Sequence, residues 1–124
     1  MNFEPKTKEQ IEDGKLWPKG EYGFEIVEAE EKKSGAGNDM FELRVRLSNG
    51  NGASRVLTDY LMPKRVGKLY SCCAAIGLLD KYRSGVLSDD DFIGGRGKVL
   101  LTVEKGKNGY PPRNVIEDYL ELRS

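Results

Sequence analysis

The sequence predicts a mostly β domain whose elements follow the order β-β-β-α-β-β. Three observations predict it. A two-residue period runs through Tyr22, Phe24 and Ile26, through Phe41, Leu43, Val45 and Leu47, and through Val56, Thr58 and Tyr60, so each strand has one buried and one wet face. A helical period then interrupts, with Val66, Leu69, Tyr70, Cys73 and Ile76 on one stripe. Alternation returns in Val99, Leu101 and Val103 and carries on to residue 120.

Residues 1–19 are polar and charged and read as an N-terminal arm, with a short helical turn expected over residues 8–13 and ended by Trp17-Pro18. Trp17 has two readings: a plug for one end of the sheet, or a platform on which a base stacks. The first strand spans residues 20–30. Its apolar phase slips between Ile26 and Val27, which predicts a bulge, the device that lets one strand serve both sides of a curled sheet. Residues 31–38 form a loop with Lys32 and Lys33. The second strand covers residues 39–47 and carries Met40, Glu42, Arg44 and Arg46 on its wet face. A Gly/Asn-rich turn at residues 48–52 suits positive φ. The third strand, residues 53–61, is expected to turn Arg55 and Asp59 outward.

Pro63 opens the helix where its missing N–H costs nothing, and Gly77 stops it. Leu78 and Leu79 extend the core contact, and residues 80–85 read as a loop. Ser88 and Asp91 have the spacing of a capping box. The run Ile93-Gly94-Gly95-Arg96-Gly97 leads into a strand rather than a helix, so it is a tight connector and neither a Walker motif nor a dinucleotide fingerprint. The fourth strand begins at residue 98. A hairpin loop with Lys105, Lys107 and Tyr110 joins it to a fifth strand at residues 113–120, and residues 121–124 are a short tail.

A chain of 124 residues fits one domain, placed at residues 20–120. Twenty basic and twenty acidic residues give zero net charge, which argues against bulk electrostatic binding but not against a local basic stripe. There is no histidine, which removes the commonest general base and most zinc enzyme sites. The two cysteines, Cys72 and Cys73, are adjacent; neighbours rarely bridge each other and cannot supply spaced metal ligands, so they read as small core residues in a reducing compartment. No signal peptide is evident and no apolar run approaches the ~20 residues a membrane helix needs, so the expectation is a cytoplasmic protein without a membrane partner or cofactor.

Three meander strands, a helix and a hairpin are the order of the OB-fold, a five-stranded barrel plugged at one end by its helix. That fold binds oligomers on the outer face of strands two and three, between the loop joining strands one and two and the loop joining strands four and five. Those places hold Lys32, Lys33, Arg44, Arg46, Arg55, Lys105, Lys107, Tyr110 and Arg113, with Trp17 as a second aromatic. Each cation alone is an ordinary solvated residue; convergence on one surface is what points to a phosphate backbone.

Several stretches resemble a family of small phage-encoded proteins. They are Gly20-Glu21-Tyr22, Ile26-Val27-Glu28-Ala29-Glu30, Lys33-Ser34-Gly35 and Met40-Phe41-Glu42-Leu43, then Asp91-Phe92-Ile93-Gly94-Gly95-Arg96-Gly97-Lys98-Val99 and Asn114-Val115-Ile116. The resemblance implies a single-stranded DNA-binding protein with an OB-fold, working with phage replication or recombination proteins in the host cytoplasm. The chain departs from many such proteins in ending on a short run of mixed charge instead of an acidic, partner-recruiting tail.

The expected function is therefore non-enzymatic binding of single-stranded DNA with little sequence preference: cations displace counterions, aromatics stack on bases, and the loop at residues 34–38 closes over the strand. Several chains coating one strand would make a homo-oligomer of a size the sequence does not fix. Two rivals differ in class. One is a protein–protein adaptor using an exposed strand edge. The other is a metal-dependent nuclease using Asp59 with Asp89, Asp90 and Asp91.

Overall fold

A computed structural model describes residues 1–5, 16–63, 66–106 and 108–121. The expected turn at residues 8–13, Lys107 and residues 122–124 lie outside the described residues. The elements are β1 (Gly20–Lys33), β2 (Asp39–Ser48), β3 (Ser54–Leu61), α1 (Val66–Ile76), α2 (Leu79–Ser84), a 3-10 turn (Asp89–Asp91), β4 (Arg96–Glu104) and β5 (Arg113–Leu120). The five strands form one antiparallel sheet in the order β3-β2-β1-β4-β5.

β1 is the shared strand. Its first half, from Gly20 to Glu25, pairs with β4, while Gly23 onward pairs with β2. The register with β2 shifts between Ile26 and Glu28, where the apolar phase slips in the sequence. The extra residue bends the strand. The glycine-rich connector is hydrogen-bonded there: the Ile26 amide donates to the Gly95 carbonyl and the Gly94 amide to the Ile26 carbonyl, each at 2.8 Å. A Cβ on Gly95 would stand 2.9 Å from the Ile76 side chain and one on Gly97 3.1 Å from the Phe24 ring, so close approach of backbone to core accounts for both glycines.

The core lies between the concave face of the sheet and α1. Phe24, Ile26, Leu43, Val45, Leu47, Val99 and Leu101 from the sheet meet Leu69, Cys72, Cys73 and Ala75 of the helix. Phe92, fully buried after the 3-10 turn, packs its ring 4.8 Å from that of Phe41. Burying a side chain of this kind is worth about 1.5–3 kcal/mol. Burial raises the Cys73 thiol pKa to about 11 and pushes that of Cys72 higher still, so both stay protonated thiols in the core.

Five expectations are corrected. β1 runs on to Lys33, so Lys32 and Lys33 stand on a strand paired with β2 and not in the loop. Residues 80–85 are not a loop: residues 79–84 form α2, with Asp80 in its first turn, Arg83 in its last, and Gly85 left-handed at its end. Leu79 and Tyr82 of this helix pack against the core, and the Tyr82 ring stands edge-on to Tyr70 at 5.5 Å. On α1 the buried stripe includes Cys72 and Ala75, while Tyr70 is on the exposed side. The fourth correction is the phase of β3. Leu57 and Leu61 turn inward with Arg55 and Asp59, and Val56, Thr58 and Tyr60 face out. Finally, the hydrogen-bonded sheet is not closed: β3 and β5 are its two edges. No helix among the described residues is long and apolar enough to cross a membrane.

Candidate nucleic-acid interface

The two edges of the sheet are joined by side chains instead of a ladder. Tyr119 of β5 donates its hydroxyl to Asp59 Oδ2 at 2.8 Å. Lys68 of α1 donates to Asp59 Oδ1 at 2.8 Å and to the Ile116 carbonyl at 2.7 Å. Farther along, Arg55 Nη1 donates to Asn114 Oδ1 at 3.0 Å. The inward phase of β3 follows from these bonds, since a charged group leaves water only where partners meet it. Burial, followed by the charge of Asp59, raises the Tyr119 pKa well above the usual phenol value, so Tyr119 remains a donor.

Along this seam lie three adjoining pockets whose neighbours share lining residues, together forming a groove. Its middle is a cleft of about 710 Å³ lined by Arg55, Val56, Tyr60, Lys68, Arg113 and Asn114 among others. At the β1–β2 end it passes Asp59, Tyr60 and Lys68 into a pocket of about 520 Å³ with Ser34, Gly35, Met40 and Met62. At the β4–β5 end it passes Glu104, Pro112 and Arg113 into a pocket of about 500 Å³ with Lys105 and Tyr110. Tyr60 is half exposed and Tyr110 three-quarters exposed, so an accessible aromatic stands at each end of the groove.

The sequence-chosen residues divide between the groove and the outside of the sheet. Lys105, Tyr110, Arg113 and Arg55 line the groove. Arg44 and Arg46 lie on the opposite face of β2 from its buried residues, and Arg55 sits across from Leu47 on the inner face, so the three do not share one surface. The outer cations also have acids opposite them. Arg44 Nε lies 3.3 Å from Glu28, Arg46 3.6 Å from Glu25, and Arg96 3.1 Å from the same Glu25. Lys32 pairs with Glu42 and Lys33 with Asp39. These hydrogen bonds raise the pKa of both lysines and lower that of Glu42. The β1–β2 face is thus a charge-matched lattice rather than a basic wall. Each exposed pair contributes at most about 1 kcal/mol.

Trp17 is partly buried against the core cluster. Its ring lies 5.3 Å from Tyr22 and the Arg55 guanidinium sits over it at 5.1 Å. Asn114 fixes its backbone, accepting from the Trp17 amide at 2.8 Å and donating to its carbonyl at 2.9 Å. Sequence reasoning passed over Lys68, Tyr60 and Asn114. Lys68 breaks the apolar stripe of α1 and could have been noticed for that; nothing local marks Asn114.

The acids of the nuclease reading do not assemble. Asp59 is held in the seam by Lys68 and Tyr119. Asp89 accepts from the Glu31 amide at 3.2 Å, and Asp91 completes the capping box with Ser88 and pairs with Lys81. Among the described residues no group of three potential ligands is placed to hold a metal. No protein-family model matches the chain, and a search of curated proteins finds no significant match.

Proposed function

We propose that this protein binds single-stranded DNA without enzymatic activity, on an OB-type barrel whose strands β3 and β5 complete the closure through side chains. The groove along β3 carries the reading. It joins the two loops that flank the binding face of such barrels, and it combines an exposed aromatic at each end with Arg55, Lys68, Lys105 and Arg113 along its length. A flexible polyanion suits a groove of this kind, with phosphates near cations and bases on aromatic rings. Zero net charge is compatible with it because binding depends on where charges sit, and on the outer face Glu25, Glu28, Asp39 and Glu42 are each paired with a cation. The resemblance to phage single-stranded DNA-binding proteins supports a place beside replication or recombination proteins in a host cytoplasm.

Titrating a fluorescein-labelled oligothymidine at two salt concentrations tests this. Affinity should fall with log salt at ~0.7 per phosphate contact. A protein that leaves the oligonucleotide free at low salt, or binds it without salt dependence, does not fit the proposal.

One observation favours a second reading, an adaptor that adds a partner strand to an exposed edge, because β3 and β5 are both edges. Against it, Arg55–Asn114, Asp59–Tyr119 and Lys68–Ile116 span the gap that an added strand would enter. Binding of a peptide that is insensitive to salt would favour the adaptor.

A further inference from the structure

We propose that the pocket at the β1–β2 loop is a nucleobase site, in which one base of the bound strand stacks on Tyr60 between the side chains of Met40 and Met62. The inference rests on the single-stranded DNA reading and adds to it a site, a ligand group and a residue that the sequence pattern hid.

The pocket's volume, about 520 Å³, lies within the ~300–1,000 Å³ usual for small-ligand sites. Tyr60 faces outward at 49% exposure on an edge strand, so its ring is accessible to a ligand. Its hydroxyl is 3.4 Å from Glu42 Oε1, and Glu42 is itself paired with Lys32, so the ring has a tether at its far end. Met40 and Met62 supply flexible, polarisable walls that fit bases of different size. Such walls suit binding without sequence preference.

The electrostatics agree. The one carboxylate lining the pocket among the described residues is Asp59, and both its oxygens are taken: Oδ1 by Lys68 and the Tyr60 amide, Oδ2 by Tyr119. An incoming phosphate therefore meets a neutralised acid with an ammonium beside it. Ser34 and Gly35 line the mouth from the β1–β2 loop. Tyr110 stands beyond the opposite end of the same groove. Residues 55 and 60 of the intervening strand are separated by ~17 Å at strand rise.

The test compares the full-length protein with its Tyr60→Thr, Tyr60→Phe and Tyr110→Ala variants, using fluorescein-labelled oligothymidine at several salt concentrations. Threonine suits an exposed strand position, and matching thermal melts establish that the variant folds. Tyr60→Thr should lose roughly 5- to 150-fold in affinity, the cost of one base stack, with its salt slope unchanged. Tyr60→Phe, which keeps the ring, should bind within a few-fold of the parent. If the parent binds and Tyr110→Ala weakens it, while Tyr60→Thr binds like the parent, the pocket is overturned and the groove stands. If Tyr60→Thr loses salt slope along with affinity, the pocket acts through charge and the stacking site is overturned. A parent protein that does not bind the oligonucleotide overturns both.

Discussion

Lys68 stands between the two edges of the sheet, its ammonium 2.8 Å from Asp59 Oδ1 on β3 and 2.7 Å from the Ile116 carbonyl on β5. With Tyr119 donating to the other oxygen of Asp59 and Arg55 donating to Asn114 farther along, side chains hold a seam that has no backbone ladder. The arrangement resists the loss of any single partner because each leaves a charge or a donor stranded. Lys68→Ala leaves Asp59 with Tyr119 and the Tyr60 amide alone, and should cost ~2–3 kcal/mol of stability. Asp59→Ala should cost at least as much, since it leaves the ammonium without its counter-charge and the buried phenol without its acceptor. Urea unfolding of each variant checks both values, and a loss under ~0.5 kcal/mol for Lys68→Ala would mean the seam is held by packing alone.

The division of cations between groove and lattice gives a contrast within one assay. Lys105→Ala with Arg113→Ala should lower the salt slope of single-strand binding by about 1.4, two contacts' worth, and weaken affinity at low salt. Arg44→Ala with Arg46→Ala removes charges that face Glu28 and Glu25 outside the groove; Arg113 also has an acid, Glu104 at 3.9 Å, but it lines the groove, so the outer pair's effect on the slope should be clearly smaller. Equal losses from the two pairs would return the outer face of β2 to the site. Neither pair should lower stability by more than about 1 kcal/mol, because all four side chains are exposed.

Much of this fold was legible because burial imposes period on sequence. The alternation in β1, β2, β4 and β5, the slip at Ile26 and the capping box at Ser88 all have local causes, and each appears where its residues stand. β3 was misread for a physical reason. Val56 and Tyr60 look like core residues and Arg55 and Asp59 like surface, yet the phase is set by partners distant in sequence: Trp17, Lys68, Asn114 and Tyr119. A polar residue can face inward when such partners exist, and nothing within the strand announces them. The same error hid half of the candidate site, since Tyr60 reaches the groove only in the inverted phase. The basic residues of β2 were legible in position but not in pairing, because their acids come from β1 across the sheet.

Acid should destabilise the protein through groups that can be named. The Lys32 ammonium holds Glu42 below the ordinary carboxylate range, and Lys81 together with the Ser88 amide does the same for Asp91. A folded carboxylate with a lowered pKa binds fewer protons than the unfolded one. Its contribution is therefore complete above the unfolded values of 4.5 and 3.8 and disappears as pH falls through the lower folded values. Melting temperature should decline from about pH 4.5 downward, and Glu42→Gln with Asp91→Asn should flatten that decline while lowering the plateau at neutral pH. An unchanged acid limb in the double variant would assign the decline to other carboxylates.

The last prediction separates the loop from the scaffold. A Cβ on Gly106 would overlap the carbonyl of Tyr110 and crowd that of Pro111, so the β4–β5 loop folds back on itself at a residue that offers no side chain. This close approach presents Tyr110, three-quarters exposed, at the end of the groove. Gly106→Ala must push the two backbone segments apart. The loop lies outside the core, so unfolding free energy should change by less than about 1 kcal/mol. Affinity for single-stranded DNA should nonetheless fall toward that of Tyr110→Ala, and combining the two substitutions should add little, because both remove the same stacking contact. Binding measurements on the two single variants and the double variant decide it: losses that simply add would mean that Gly106 serves the site by some route other than placing Tyr110.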